Sequence, residues 1–319
     1  MRRRARSLLA LLVLAWLAVL AVGVLLGGSG AAATARVILF ELRLPRVLLA
    51  LAAGGALAVA GLTFQTLFRN SLAEPYTLGV ASGAALGAVL ALQVGGDSVL
   101  GFPLTAAASF AGALLVTVLL LGLARRGLET TALLLSGVAL ALSCSAVILF
   151  VQYVADPSRS FRMVRWMMGG LAVVGYREVL WVVPWVVAGS CGLWLLRGEL
   201  DQMLTGEELA ASRGVDVDRL RLVALAAASL MVGALVAVTG PIGFVGLIVP
   251  HLGRRLVGRD HMVLLPACLL GGGVFLALAD LMARRVMAPA ELPVGILTAL
   301  LGGPFFLWLL VARPRGGRR

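Results

Sequence analysis

The chain is a succession of long apolar runs separated by short polar segments. Nine runs contain no charged residue and are long enough to cross a bilayer, because a helix needs about 20 apolar residues to span the hydrocarbon core. These runs are 7–35, 47–68, 75–96, 98–124, 130–155, 179–196, 222–253, 262–279 and 292–312. The pattern predicts an all-α, polytopic membrane protein.

The run 222–253 is too long for one straight span. Thr239, Gly240 and Pro241 interrupt it, and a proline removes a backbone donor and blocks helix continuation. We predict a span that ends near Val238, followed by a half-length segment over 242–251. Such a segment is tolerated at membrane depth where protein buries it, so we expect it inside the bundle. The division gives ten transmembrane segments.

Two stretches of the chain show a weak internal similarity. Four small residues recur at a spacing of 179: Gly54, Ala58, Val59 and Gly61 return as Gly233, Ala237, Val238 and Gly240. Five spans would separate the copies, which would then run in opposite directions as a 5+5 inverted repeat. Chance similarity in a chain rich in glycine and alanine is the alternative interpretation.

Composition and charge agree with a membrane location. Hydrophobic residues make up 61% of the chain and charged residues 13%, against roughly 25% charged in a soluble domain. The net charge of +12 comes from arginine, since the sequence contains no lysine. With the amino terminus inside, 18 arginines lie on the cytoplasmic side and 9 outside. We therefore predict a multi-pass protein of the bacterial cytoplasmic (inner) membrane with both termini cytoplasmic.

The sequence offers little chemistry of its own. It has no paired acids or His-Glu helix typical of an enzyme, and its three cysteines and two histidines lack metal-ligand spacing, so we predict no catalytic residue and no metal site. A P-loop needs a lysine, so ATP would have to be bound by a partner. The arginines form no basic face, which argues against nucleic acid. An ion-coupled carrier would need carboxylates within its spans, and only Asp280 comes close, with Arg284 four residues later.

Two charged loops stand out from the short turns. The loop of about 197–221 is cytoplasmic in this topology and contains a predicted helix start, Thr205 followed by Gly206, Glu207 and Glu208. It is the natural contact for an ATPase. The second loop, about 156–178, faces outside. We interpret residues 1–319 as a single transmembrane domain.

Several ordered motifs resemble those of one transporter family. They are Arg43-Leu-Pro-Arg46, the Gly61–Gln65 turn, Phe68-Arg-Asn-Ser-Leu-Ala-Glu-Pro75, Leu78-Gly-Val-Ala-Ser-Gly-Ala84, Trp166-Met-Met-Gly-Gly170, Gly206-Glu-Glu208, Gly240-Pro-Ile-Gly-Phe-Val-Gly-Leu-Ile-Val-Pro-His251, Asp280 with Arg284, and Glu291-Leu-Pro-Val-Gly295. From about Arg43 to Leu309 the chain is similar to the permease subunits of type II ABC importers for ferric siderophores, haem and cobalamin.

This resemblance implies a set of partners. The permease is expected to be a homodimer in the lipid bilayer, with two cytoplasmic ABC ATPase subunits that bind ATP and Mg²⁺ and an external solute-binding protein that delivers a metal chelate. No cofactor is expected on the chain itself. Which chelate is carried stays open, and an ion-coupled secondary carrier for a bulky solute is the alternative function.

The resemblance also assigns roles to individual residues. Docking of the binding protein is expected at Arg43, Arg46 and Arg284. Coupling to the ATPase is expected at Thr205, Gly206, Glu207, Glu208, Ala210, Arg213 and Gly214. The cytoplasmic gate is expected at Asn70, Leu72, Thr130 and Thr131. Ser71 stands where the family usually has proline.

Overall fold

The computed structural model describes residues 2–25, 36–95, 98–99, 102–287 and 290–311. These residues form thirteen α-helices, a π-helical segment (Ile38–Arg43) and two short antiparallel strands. The α-helices are α1 (Arg2–Leu25), α2 (Leu44–Leu67), α3 (Val80–Val94), α4 (Leu104–Arg125), α5 (Thr130–Val154), α6 (Pro157–Met167), α7 (Arg177–Leu195), α8 (Arg197–Met203), α9 (Glu207–Ser212), α10 (Val217–Thr239), α11 (Val245–Val257), α12 (His261–Val286) and α13 (Val294–Val311). The strands are β1 (Ser98–Val99) and β2 (Phe102–Pro103).

Most of these helices have the length and composition of membrane spans. Within the described part of the chain, 7 helical segments meet both conditions: Ser7–Val24, Ile38–Leu67, Leu104–Arg125, Thr130–Val154, Arg177–Leu195, Val217–Thr239 and His261–Val286. Two further apolar helices, Val80–Val94 and Val294–Leu307, are shorter. The predicted polytopic helical architecture is therefore present. The count of ten crossings and the inverted repeat stay predictions.

Helix α2 is the centre of the bundle. Nearly all of its side chains are buried, and it packs most extensively against α12 and also against α11, α10 and α7. Small residues allow this, because a Cβ atom at Gly54 would collide with the carbonyl oxygen of Gly272, and one at Gly61 with that of Gly246. Helix α5 is different, since it packs mainly against α3 and leaves large apolar side chains such as Leu142 exposed.

The predicted half-length segment is helix α11. Its 13 residues reach ~20 Å, well short of the ~30 Å hydrocarbon core. It begins after a non-helical stretch in which Gly240 and Phe244 both have positive φ, 64° and 69°. Val245 is fully buried, and the buried Gln65 side chain donates to the carbonyl oxygen of Gly246 over 2.9 Å. Residues 245–250 are largely buried inside the bundle, as expected for a helix too short to span, whereas Leu252 and Leu256 in the second half are exposed. The helix also begins and ends later than the predicted 242–251.

Both charged loops contain short helices. In the loop 156–178, Asp156 caps α6 by accepting the N–H of Arg159 over 2.9 Å. Hydrogen bonds from the Ser158 hydroxyl and from that N–H lower the pKa of the Asp156 carboxyl. The loop 197–221 folds into two helices, α8 and α9, where the sequence predicted one short surface helix.

Candidate functional site

The three arginines predicted to receive a binding protein lie around one depression. Its volume is about 590 Å³, and its lining includes Arg43, Arg46 and Arg284 together with Arg285 and Glu291. Four guanidinium groups against one carboxylate make this end of the bundle attractive to an acidic surface. The structure therefore brings the predicted docking residues together, and their docking role stays a prediction.

Arg46 is already engaged by acidic partners within the chain. Its Nε lies 3.1 and 3.0 Å from the two carboxylate oxygens of Asp280, and its Nη2 lies 2.8 Å from Oδ1. Its Nη1 donates to Glu291 Oε2 over 2.7 Å. The Arg46 side chain is 12% exposed and that of Asp280 2%. A bidentate pair at this burial fixes α2 to α12.

Arg284 and Arg43 are held differently. The Nε of Arg284 lies 3.1 Å from Asp280 Oδ2, but the two groups are not aligned for a hydrogen bond, and Arg284 Nε and Nη2 have no hydrogen-bond partner among the described residues. Arg43 donates from Nη1 to the carbonyl oxygen of Val24 over 3.3 Å. The predicted ion pair of Asp280 with Arg284 is present, and Arg46, 234 residues away, adds the hydrogen bonds to the same carboxylate.

A cavity of about 700 Å³ lies beside α3, α5, α11 and α13. Its lining is mostly apolar, and its polar side chains are Glu74, Tyr76, Ser82 and Ser145. No arginine is among these lining residues. Leu300, which belongs to the wall, is 63% exposed. The cavity is therefore open on the side of Leu300.

Three of the glycine-containing motifs meet beside this cavity. The Gly170 N–H donates to the carbonyl oxygen of Thr239 over 2.7 Å, and the Gly295 N–H to that of Gly169 over 3.4 Å. Gly169 has φ 67°, and a Cβ there would collide with the carbonyl oxygen of Pro241. Sequence reasoning treated these motifs separately and missed their junction. The sequence feature that these three motifs share, and that could have indicated close backbone packing, is a glycine within a charge-free stretch.

Glu74 is a buried acid that the sequence reasoning did not single out. Its side chain is 9% exposed, it lines the cavity, and its carboxylate accepts the backbone N–H of Phe244. Phe244 immediately precedes α11, and a negative charge is favourable at a helix amino terminus. Glu74 therefore anchors the half-length helix. An isolated acid between two apolar runs was the available signal.

The predicted gate residues lie at the opposite end of α2 from the arginine depression. Asn70 Oδ1 accepts the N–H of Leu72 over 2.9 Å, which closes a tight turn, and Leu72 is 41% exposed. Thr130 begins α5 and is partly buried, while Thr131 beside it is exposed. The segment of Asn70 and Leu72 and the start of α5 come from different parts of the chain. The loop 197–221 lies next to both of these gate segments.

The predicted coupling residues form helix α9 and its two flanking turns. Thr205 donates to the carbonyl oxygen of Gln202 over 2.8 Å, so it closes the preceding turn instead of capping α9. Gly206 and Gly214 have φ of 121° and 88°, values that suit glycine. Ala210 is fully buried, whereas Glu208 and Arg213 are exposed. The loop thus presents a charged outer face to a partner.

Glu207 points the other way, toward the predicted gate. It accepts a hydrogen bond from the Thr130 hydroxyl and one from Arg221 Nη2 at 2.8 Å. Burial alone would raise the pKa of the Glu207 carboxyl, but the bonds from Thr130 and Arg221 and the nearby charge of Arg69 lower it. Glu207 is therefore ionised over the physiological range. Arg221, which is 5% exposed, was not predicted as a site residue, because nothing in the sequence distinguishes it from the other arginines of its loop.

A second polar cluster links α8 to the bundle. The ring of His261 is buried, with Nδ1 2.6 Å from Asp201 Oδ1 and Nε2 2.9 Å from the Thr66 hydroxyl. The backbone N–H of His261 donates to the same Asp201 oxygen over 3.0 Å. The described residues contain no group of three His, Cys, Asp or Glu side chains that could hold a metal ion. His261 therefore connects α8, α2 and α12.

Comparison with known proteins gives a consistent result along almost the whole chain. The profile of the FecCD transport family matches residues 7–312. The vitamin B12 import system permease protein BtuC of Klebsiella pneumoniae is 40% identical over 289 residues, which cover 91% of this chain and 86% of that protein. The protein of the same name from Salmonella typhimurium is 40% identical over 288 residues, 90% of this chain and 88% of that one.

Two solved structures extend the comparison to the fold. An ABC transporter described as of metal-chelate type, in an inward-facing conformation, superposes with a TM-score of 0.86 at 32% identity and covers 97% of this chain and 99% of that one. PsaBC from Streptococcus pneumoniae, in complex with Fab, gives a TM-score of 0.51 at 18% identity, covering 85% and 92%, and shares the fold alone.

Proposed function

Since the chain belongs to the FecCD transport family, and is a permease of the metal-chelate or cobalamin type of ABC importer, we propose that it forms the translocation path for vitamin B12 or a closely related corrinoid. The observation that carries the proposal is the match to vitamin B12 permeases over nine-tenths of the chain. The family consists of transport permeases and not enzymes.

The cavity lining favours a neutral chelate over haem. Haem carries carboxylates, and a path for it would gain from basic side chains, whereas the cavity is lined by one acid, three hydroxyl groups and otherwise apolar residues. A neutral, amide-bearing chelate would not be repelled by this wall, whose one charged lining residue is Glu74. A weakly polar wall also lets a bulky solute leave as readily as it enters.

The partners follow from the family and from the charges at the two ends. A solute-binding protein with acidic side chains is proposed to dock at the depression around Arg43 and Arg284. Two ATPase subunits, which bind ATP and Mg²⁺, are proposed to contact the exposed side chains of Glu208 and Arg213. This arrangement places the chain in the bacterial cytoplasmic membrane with both termini in the cytoplasm.

A second copy of the chain is proposed to complete the path. The cavity wall includes the exposed Leu300 of α13, and α5, which also lines it, leaves Leu142 and Leu149 largely exposed. Large apolar side chains in such a stripe are suited to lipid or to a second helix bundle. With the two cavities facing each other, the homodimer would enclose a space large enough for a bulky chelate.

The proposed mechanism is alternating access. The loaded binding protein docks on the basic depression, and ATP binding draws the two ATPase subunits together. Their movement reaches the spans through Thr205–Gly214, and the gate at Asn70, Leu72, Thr130 and Thr131 opens or closes. The permease supplies surfaces and motion, and no bond of the solute is made or broken.

Reconstitution tests the proposal. The chain is expressed with an ABC ATPase and a solute-binding protein of the same organism and placed in liposomes. Uptake of radiolabelled cyanocobalamin is then assayed, with a ferric hydroxamate and haem as competing solutes. We expect ATP-dependent, vanadate-sensitive uptake of cyanocobalamin that neither competitor reduces. Uptake of the hydroxamate or haem in its place would reject the corrinoid assignment and keep the importer.

The same liposomes test the alternative of an ion-coupled secondary carrier. A carrier would accumulate solute under a proton or sodium gradient without any ATPase. Glu74 is a buried acid that lines the cavity, and its carboxylate accepts the backbone N–H of Phe244. Uptake driven by a gradient in the absence of the ATPase would reject the importer.

A further inference from the structure

Arg221 lies at the centre of a polar junction between the coupling loop and the predicted gate. Its side chain is 6% exposed, and its Nη2 lies 2.8 Å from Glu207 Oε1 and 3.1 Å from the Thr130 hydroxyl. Its Nη1 lies 3.7 Å from Asp218, which is 80% exposed. The guanidinium group therefore joins α9, α5 and α10 at one point.

Thr130 is held from both sides in this junction. Its hydroxyl donates its proton to Glu207 Oε1 and accepts from Arg221 Nη2, so its single donor is used. Thr130 is the first residue of α5, and the Glu207 carboxylate lies at that helix amino terminus, where a negative charge is favourable. A shift of Glu207 would therefore act directly on the end of α5.

The junction also reaches the second gate segment. The charge of Arg69 acts on Glu207, and Arg69 Nη1 lies 3.8 Å from the position that a Cβ atom of Gly206 would occupy. Arg69 has φ 47°, unusual for a residue with a side chain, and it directly precedes Asn70. The start of α9 is thus in reach of both gate segments.

Helices α9 and α5, which this junction connects, pack mainly against different neighbours. Helix α9 packs against α8 and the start of α10, whereas α5 packs against α3 and, less extensively, α4 and α6. The bonds of Glu207 and Arg221 to Thr130 therefore connect directly two parts of the chain, α9 and α5, that are otherwise linked through α10 and its packing on α4 and α3. A buried arginine bonded to both parts is suited to pass a displacement from one to the other.

We infer that Arg221 is a positioning residue for transport: with Glu207 it holds the coupling helix to Thr130, so that movement of α9 is transmitted to the gate. Arg221 and Glu207 need not contact solute or nucleotide. The inference rests on the proposed function, because it concerns how ATPase motion reaches the path.

The first experiment uses the permease alone, in nanodiscs, and reads the junction without any partner. Nitroxide labels are placed at Glu129 and Ser212, both exposed, in a chain whose exposed Cys191 is replaced by alanine. We expect a narrow distance distribution for this parent chain. It should broaden to at least twice its width in Thr130→Val, which keeps the side-chain shape and removes the hydroxyl.

Two matched controls accompany this variant. Ser136→Ala removes a hydroxyl from the same helix whose bond goes to its own backbone, at Ala132. Arg219→Gln removes an exposed arginine two residues before Arg221. Both should keep the parent distribution. An unchanged distribution in Thr130→Val, or equal broadening in the controls, would overturn the junction.

The second experiment measures ATP hydrolysed per cyanocobalamin transported in the reconstituted complex. We expect Glu207→Gln, Arg221→Gln and Thr130→Val to raise this ratio at least threefold while the complex still assembles and hydrolyses ATP, with partial recovery in Arg221→Lys. An unchanged ratio in all three would overturn the inference. If the parent complex shows no ATP-driven uptake, the proposed function fails, and the label distances still decide whether the junction exists.

Discussion

Each end of the bundle contains a nearly buried arginine with two acidic side chains beside it, distant in sequence at one end and within 14 residues at the other. At the outer end, Arg46 is bound by Asp280 and Glu291, and at the inner end Arg221 is bound by Glu207 with Asp218 nearby. In both cases one acid is largely buried or bonded twice and the other is exposed. The two arginines therefore make similar bonds, but the helices that these bonds connect pack against each other to different extents.

The outer pair joins helices that are already in close contact. Helices α2 and α12 form the most extensive packing in the described chain, and the backbones at Gly54 and Gly272 touch. The inner pair joins α10 to the six-residue α9, and both of its members also bond Thr130 of α5, which packs mainly against α3. An ion pair within an extensive helix interface adds rigidity. Bonds between helices that make little direct contact, such as those of Glu207 and Arg221 to Thr130, can instead transmit movement, and we call these three residues the inner joint. Burial of an arginine does not by itself reveal which role it has.

The largest expected effect comes from removing the buried acid of the outer pair. Asp280→Ala would leave Arg46 and Arg284 without their common carboxylate, and breaking a buried pair from one side costs about 3–5 kcal/mol. We expect the free energy of unfolding in mixed micelles to fall by that amount. Glu41→Ala, at an exposed acid near the same end, is the control and should change it little. A loss no greater than in Glu41→Ala would mean that the outer network is not structural.

The second prediction separates docking from stability at the outer depression. Arg43→Glu should weaken binding of the solute-binding protein at least tenfold, about 1.4 kcal/mol, and more strongly at low salt, without lowering the unfolding free energy as far as Asp280→Ala does. Arg46→Glu should impair both, because Arg46 is held by Asp280 and Glu291. Surface plasmon resonance measures the binding, and Arg165→Glu, an exposed arginine outside the depression, is the control. Equal binding by the Arg43 and Arg165 variants would reject the docking role of Arg43.

The sequence predicted the helices well because their signal is local. Charge-free runs identified every described apolar helix, and Pro241 with its neighbours identified the half-length α11, since a proline breaks a helix wherever it occurs. The residues predicted for docking, gating and coupling came from motif resemblance, and the structure places each set together. Their roles depend on partners and remain predictions.

The pairing of the charged residues could not be obtained in this way. The helical spacing of four predicted the ion pair of Asp280 with Arg284, which is present, but not the second and hydrogen-bonded partner, Arg46, 234 residues away. Arg221 looked like one more basic residue of a cytoplasmic loop, and its burial depends on how α9 and α10 pack. Glu74 likewise acquires its function only when Phe244 is brought next to it. Long-range partners are set by tertiary packing, which local patterns do not contain.

The third prediction uses pH to test the inner joint. The folded-state pKa of Glu207 lies below its ordinary value of 4.5, so the stabilisation from its charge is fully present above that value and is lost as pH falls through the folded pKa. Arg221, Asp218 and Arg69 are the charged groups around it. The distance distribution between labels at Glu129 and Ser212 should therefore stay constant from about pH 8 to about pH 5 and broaden only below 4.5.

Glu207→Gln is the control for this titration and should give the broad distribution at every pH. Broadening of the parent chain between about pH 5 and pH 7 would show that the carboxyl titrates above its ordinary range. In that case burial would outweigh the bonds from Thr130 and Arg221, and the inner joint would be weaker than the outer pair at physiological pH.

The smallest expected effects come from the exposed acid of each network. Asp218 is 80% exposed and 3.7 Å from Arg221, and Glu291 is 50% exposed and 2.7 Å from Arg46. Exposed pairs contribute about 0–1 kcal/mol, so Asp218→Asn and Glu291→Gln should each lower the unfolding free energy by no more than that, with Glu291→Gln the larger because its contact is a hydrogen bond. Raising the salt concentration should shrink both differences. If Asp218→Asn instead broadened the label distances as far as Glu207→Gln does, neutralising Arg221 would matter more than its bond to Thr130, and the inner network would resemble the outer one.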